Sequence, residues 1–292
     1  MKEERFLNLN SKFRDTPDLS TSSDFQMTIA CEIPRVVEME IDNIQIPSYA
    51  YYTISKAQKN YIFWAQVNTT KNPTAMQEIT IPEGNYSPEE LSIYLNTTYF
   101  YLSSTSSSNP FRNIKFNIDA NSMKATFSVI TSAIKQYFSV VFYDLTLGIN
   151  VINSFGFNMG FLSPIYTYCT TINDYDKILL QSENAASLFA SRCIYLSIDD
   201  YQYNNKNNNS AILLNNSQMD DHIMAKVIIP ESPYNELYNM NSKIQLFSFN
   251  RVYRGPITLK RLRVKMYDEN GVVIYLNGID INFTLKLKIA TT

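Results

Sequence analysis

The single histidine, His222, follows Asp220 and Asp221, and an imidazole beside carboxylates is the least from which a metal site or a general base can be built. Consecutive residues of an extended chain point to opposite faces, so the two acids do not converge on His222. The segment is expected to be an exposed polar loop before a strand beginning at Ile223. Asp199-Asp200 and Glu89-Glu90 are acid pairs of the kind that glycoside hydrolysis uses. The first falls at a strand end, however, and the second in a helix's first turn, where capping accounts for carboxylates. Glu83-Gly84 and Gly156-Phe-Asn-Met-Gly160 lack the Lys-Ser or Lys-Thr that completes a phosphate-cradling loop. Cys31, Cys169 and Cys193 fit neither a disulfide framework nor zinc spacing, and are expected to be small buried apolar side chains. No catalytic residue, metal ligand or cofactor is assigned, and contact rather than turnover is expected.

In 292 residues, hydrophobic types make up 45%, enough for a sizeable core, whereas charged types make up only 18%, which suits a chain partly covered by partners. The 21 tyrosines and 17 phenylalanines favour pleated sheets and buried interfaces alike. No apolar run approaches the ~20 residues of a membrane span, and the first residues hold no secretory apolar segment, so a soluble intracellular product is expected. A net charge of −2 argues against a general polyanion binder. Near the C-terminus, Arg251, Arg254, Lys260, Arg261, Arg263, Lys265, Lys286 and Lys288 outnumber Asp268, Glu269 and Asp280. A basic sheet face docks acidic protein, nucleic acid or lipid head groups, or is simply a solvated strand face.

The elements follow from alternation. Leu262, Val264 and Met266 alternate with Arg261, Arg263 and Lys265, and Phe283, Leu285, Leu287 and Ile289 alternate with polar residues. Asn270-Gly271 and Asn277-Gly278 supply the positive φ angles of tight turns, so three C-terminal strands are expected, the middle one over 272–276. Upstream, strands are expected over Phe6–Phe13, Phe25–Ile29, Val36–Ile46 with Val37, Met39 and Ile41 on one face, Tyr49–Ile54 and Tyr61–Val67. Ser87, Pro88 and Glu90 form a complete helix start, with Tyr86 and Leu91 spaced as a staple and Leu91, Tyr94, Leu95 and Leu102 as an apolar stripe. A hairpin over 114–129 and strands over 138–143, 193–199, 223–229 and 244–249 complete the pattern, with the polar loop 203–209 between the last ones.

Gly255-Pro256, Leu259 with Leu262, Asp268 with Gly271 and Leu276-Asn-Gly-Ile-Asp280 resemble the C-terminal signature of minor capsid proteins from nucleocytoplasmic large DNA viruses. Ser11 with Arg14-Asp15, Ile46-Pro47 with Tyr49, Ile81-Pro-Glu-Gly-Asn-Tyr-Ser87 and Gly156–Phe161 resemble its other elements. The resemblance implies a mainly β, jelly-roll-like antiparallel sandwich with an inserted α+β module: 1–78 as arm and first strands, 79–165 as insertion, 166–292 as remaining strands. It further implies a non-enzymatic cement of the virion, made in the host cytoplasm and lying on the inner side of the shell. Its partners would be the major capsid protein and other minor capsid proteins, with contact to an inner membrane or core, room for self-association and no specific nucleic acid. Interface candidates are Arg14, Tyr86, Arg251, Arg254, Arg261, Arg263 and Lys265. A virion-associated carbohydrate-binding or glycan-cleaving sandwich is the alternative, and a nucleic-acid-contacting core protein the third reading.

Overall fold

A computed structural model describes residues 2–46, 51–68, 76–101, 109–131, 136–149, 151–171, 174–188, 193–202, 222–228, 245–269 and 271–291. The chain forms two compact units, unit 1 from 1–51 with 191–292 and unit 2 from 52–190. In chain order the elements are β1 (Lys2–Asn10), β2 (Asp24–Gln45), β3 (Ile62–Asn68), β4 (Gln77–Thr80), α1 (Pro88–Thr98), β5 (Ile114–Ile118), β6 (Ala125–Thr131), β7 (Tyr137–Val141), α2 (Phe155–Asn158), β8 (Ile165–Cys169), β9 (Tyr175–Gln181), β10 (Cys193–Asp199), β11 (Ile223–Ile228), β12 (Gln245–Ser248), β13 (Arg251–Tyr267) and β14 (Asn282–Ala290). Every strand pair among the described residues is antiparallel, and the mainly β class expected from the alternation is what the structure has.

Unit 1 is one sheet in the order β1-β14-β2-β13-β10-β11-β12. The two chain ends lie side by side, Lys2 opposite Ala290 through to Asn10 opposite Asn282. Apolar alternation drives this: Leu9, Phe283, Leu285 and Leu287 are buried while the residues between them are mostly polar. β2 and β13 bend as they pair. Four residues of β13, 253–256, stand against Val37 alone, and four of β2, 29–32, against Lys260 alone. Gly255-Pro256 sits in the first bulge, where proline's missing N–H costs no ladder bond. β12 continues through Phe249 and Asn250 into β13, which returns this edge of the sheet to β2. There the Ile41 amide donates to Ser248 Oγ (2.8 Å). The curled sheet encloses Val36, Met39, Leu259, Leu262 and Leu285, all fully buried.

Unit 2 has a four-stranded sheet, β4-β3-β7-β8, and a three-stranded one, β5-β6-β9. α1 starts with the expected capping box: the Glu90 amide donates to Ser87 Oγ and the Ser87 amide to the Glu90 carboxylate. Asn96 on α1 closes the edge of β5, donating to Phe116 O (2.8 Å) and accepting from the Phe116 amide (2.9 Å). The core is phenylalanine: Phe127 meets Phe116 at 5.1 Å and Phe138 at 5.2 Å, Phe142 stacks on Phe161 at 5.1 Å, and Phe63 on Phe155 at 4.8 Å. Gly156 is there because a Cβ would lie 2.2 Å from the Phe142 ring, and Gly160, at φ +86°, because one would lie 2.2 Å from Asn184 O.

Several expectations need correction. The divides expected near 79 and 166 fall instead at 52 and 190, because β3 pairs with β7 and β9 with β6. Val36 rather than Val37 is buried: Val37 and Asp42 are each an extra residue in the β2–β14 ladder, and each reverses the alternation. The expected strand over 272–276 is reduced to a single bridge between Tyr267 and Val273, with Val272 and Tyr275 exposed. Of the strand over 49–54 the described part keeps one bridge, Ile54 to Gly84. Cys31 is exposed and Cys169 half-buried; Cys193 alone is the buried thiol that was expected. Pro47, Tyr49, Leu102, the loop 203–209, Asp220, Asp221 and Asn270 lie outside the described residues.

Phe127→Ala is expected to destabilise unit 2 by about 3–5 kcal/mol through an aromatic-sized cavity, and Gly156→Ala by about 1–3 kcal/mol through overpacking. Urea unfolding followed by circular dichroism measures both.

Candidate assembly surfaces

Arg14 is occupied within the fold. Its Nη1 donates to Asp280 Oδ1 (3.0 Å) and Ser11 O (2.9 Å), and its Nη2 to Pro17 O (3.2 Å). Ser11 Oγ donates to the same Asp280 oxygen (2.7 Å) and accepts from the Ile281 amide (3.0 Å), while the Ser11 amide donates to Ile281 O (3.0 Å). Residues from the first and last motifs of the chain thus form one knot. It stands on a tight turn in which Asn277 (φ 53°) and Gly278 (φ 75°) both have positive φ.

At the other end of the β1–β14 ladder, Glu38 on β2 receives Lys2 from β1 and Lys288 from β14 (2.6 Å), with Asn250 Nδ2 at 3.4 Å. Hydrogen bonds from Lys2 first and Lys288 next hold its carboxyl at about 2, far below its ordinary value. Lys286 lies between Glu4 (3.2 Å) and Glu40 (3.4 Å). Two of the lysines in the basic surplus, Lys286 and Lys288, thus tie three strands together.

Arg251 is not a surface residue. Only 3% of it is exposed, and its Nη1 donates to Ile198 O (2.8 Å) and sits 3.2 Å from Asp200 Oδ2, with Nη2 donating to His222 O (3.2 Å). The Tyr253 hydroxyl donates to the same carboxylate, and burial together with that charge pushes its pKa well above the ordinary value, so it stays protonated. The other candidates on β13 do face outward. Arg254, Arg261 and Arg263 are exposed and Lys265 is half-buried. Arg261 lies 4.2 Å over the Tyr201 ring, Arg263 is 3.4 Å from Asp24, and Lys260 is 2.8 Å from Glu32. Asp199 stands opposite Arg263 in the ladder. Counting acids within the C-terminal stretch missed these partners, which come from β2 and β10.

Tyr86 donates to Pro82 O (2.8 Å), with its ring 6.4 Å from that of Tyr94. Near it is a shallow hollow of about 310 Å³ lined by Lys56, Tyr61, Thr80, Glu83, Tyr94 and Tyr99. The Tyr94 and Tyr99 hydroxyls both donate to Thr80 O, at 3.2 and 3.1 Å. Among the described residues no group of three His, Cys, Asp or Glu is placed to hold a metal ion, and His222 Nε2 is 3.9 Å from Asp199 Oδ1. No helix among them is long and apolar enough to cross a membrane.

One surface went unread in the sequence. No charged residue occurs between Asp144 and Asp174, and this stretch exposes Leu145 (74%), Leu147, Ile152, Phe157, Leu162 and Ile165. Its parts are held together: the Phe142 amide donates to Pro164 O (2.9 Å), and Ile149 bridges to Asp144. The absence of charge over so long a run was the signal available in the sequence.

No family model matches the chain, and no curated protein matches it. Among solved structures, the mavirus penton protein is 11% identical, with 100% of this chain and 98% of that one covered and a TM-score of 0.40. A chain of the Sputnik virophage structure is 12% identical, with 98% and 97% covered and a TM-score of 0.44. Likeness at these levels supports no conclusion about function.

Two measurements probe the internal contacts. Arg251→Met is expected to cost about 3–5 kcal/mol, since the buried Asp200 is left without its counter-charge, whereas Arg254→Met stays within about 0.5 kcal/mol; chemical denaturation separates them. Glu38 contributes stability that is complete above its ordinary value of 4.5 and lost as the pH falls toward 2. Acid unfolding of Glu38→Gln should lack that portion of the pH dependence.

Proposed function

We propose that this protein is a structural component of a virus shell, a minor capsid protein of a large icosahedral DNA virus that cements contacts between major capsid capsomers. The observation that carries the reading is the meeting of Ser11, Arg14 and Asp280. The arm and C-terminal elements through which the sequence resembles minor capsid proteins are one interlocked object, so the resemblance concerns a three-dimensional unit and not two short coincidences. The uncharged surface of unit 2, with its exposed leucines, isoleucines and Phe157, supports a role in contact, because apolar area of this kind on a protein is commonly covered by a partner. The major capsid protein and other minor capsid proteins are the partners proposed. Arg254, Arg261, Arg263 and Lys265 offer a second, polar surface toward an acidic partner, the inner membrane or the core.

Carbohydrate binding has the tyrosine-lined hollow in its favour, since rings flanked by Lys56 and Glu83 suit a sugar's apolar face and hydroxyls. Two of the hydroxyls are already committed to Thr80, which leaves less to recognise a ligand.

Quantitative mass spectrometry of purified particles, run beside a glycan array on the isolated protein, tests the assignment. Many copies per particle and no glycan retention are expected. Absence from mature particles contradicts the capsid assignment, and a few copies with measurable glycan affinity favour the alternative.

A further inference from the structure

A sheet's edge strand presents unpaired N–H and C=O groups, and proteins usually blunt it with charge, shortness or a cover. This chain does so almost everywhere. β1 carries Lys2, Glu3, Glu4 and Arg5, and β9 carries Asp176 and Lys177. β4 and β12 are four residues long, and β5 is covered by the Asn96 amide. Among the described edge strands β8 is the exception. Its sequence, Ile165-Tyr-Thr-Tyr-Cys169, is uncharged, β-favouring and free of proline, and it forms an edge of its sheet.

The direction of its free groups follows from the ladder. The Phe142 amide donates to Pro164 O (2.9 Å) and the Thr170 amide to Gln136 O (2.7 Å), with Val140 opposite Tyr166 and Phe138 opposite Tyr168. In an antiparallel pair these residues turn their backbone groups toward β7, so Ile165, Thr167 and Cys169 turn theirs outward. Of those outward groups, Ile165 O alone has a hydrogen-bond partner among the described residues, Ser163 Oγ at 3.0 Å. Ile165 and Thr167 are exposed as well.

We infer that β8 pairs antiparallel with β8 of a second copy about a two-fold axis at Thr167, joining two four-stranded sheets into one. The order Tyr-Thr-Tyr reads the same in both directions, so this register makes every outward residue meet an outward residue. Thr167 meets its counterpart, Ile165 meets Cys169, and Tyr166 stands opposite Tyr168, pairings of the kind that stabilise sheets. Charge agrees. The Tyr166 hydroxyl donates to Glu183 (2.7 Å), and Lys177 lies 5.5 Å over the Tyr168 ring. Pairing Tyr166 with Tyr168 therefore brings opposite charges, not like ones, to the same side of the junction. A two-fold junction of this type is self-complementary and closes at two copies. It does not depend on the shell assignment.

Analytical ultracentrifugation of the purified full chain over a range of concentrations tests it. The wild type is expected to double its mass as concentration rises. Thr167→Pro removes an amide that faces away from β7, and Thr167→Lys sets two charges on the axis; both are expected to stay monomeric with an unchanged circular dichroism spectrum. In a Cys31→Ser background, Thr167→Cys is expected to cross-link on mild oxidation through position 167 of both copies, because opposed backbone-bonded positions lie within disulfide reach. A wild type that stays monomeric throughout, a dimer indifferent to both substitutions, or a monomer that takes up an extended peptide of another chain along β8 would each overturn the inference. Presence or absence of the protein in virus particles bears on none of these readouts.

Discussion

β14 lies between β1 and β2, so the strand that ends the chain is hydrogen-bonded to the one that begins it and to the longest strand of unit 1. Closing so long a stretch of chain is entropically unfavourable, although that cost grows only slowly with length. What offsets it is local to the junction: burial of Leu9, Phe283, Leu285 and Leu287, the ion pairs of Glu38 with Lys2 and Lys288, and the Ser11–Arg14–Asp280 knot. These contacts also fix register. A slip of one residue would turn the apolar face of β14 to solvent and separate Asp280 from Arg14. The convergence of Lys2 and Lys288 on Glu38 follows from the same alignment.

Much of this was legible where chemistry is local. The alternation of β13 and β14, the Asn277-Gly278 turn and the Ser87–Glu90 cap each depend on residues within a few positions of one another. What escaped depends on distant partners. Val37 and Asp42 are bulged because of the strand opposite them, and nothing in their own types announces it. Arg251 has the composition of a surface residue but is buried because Asp200 and two carbonyl oxygens wait for it. The basic row on β13 has acids beside it that belong to β2 and β10.

Unit 2 solves a different problem with few charges. Its phenylalanine core is so dense that Gly156 and Gly160 exist to let rings and backbone approach, which removes the phosphate-loop interpretation of that glycine pair. The same uncharged stretch then emerges at the surface as Leu145, Phe157, Leu162 and Ile165, and continues into the open edge of β8. Buried and exposed apolar residues are drawn from one run of sequence, and this explains why those at the surface gave no warning that they were exposed.

Native-state hydrogen exchange with residue-level readout tests the central pairing most directly. Because the Ser11 amide bonds to Ile281 O, the Arg5, Leu7 and Leu9 amides face β14 in the same ladder. They are predicted to exchange slowly and together with the β14 amides, and to be released together when Asp280→Ala opens the knot. Fast exchange of those three amides while β14 stays protected would show that the chain ends are not one structure, and the account would fail.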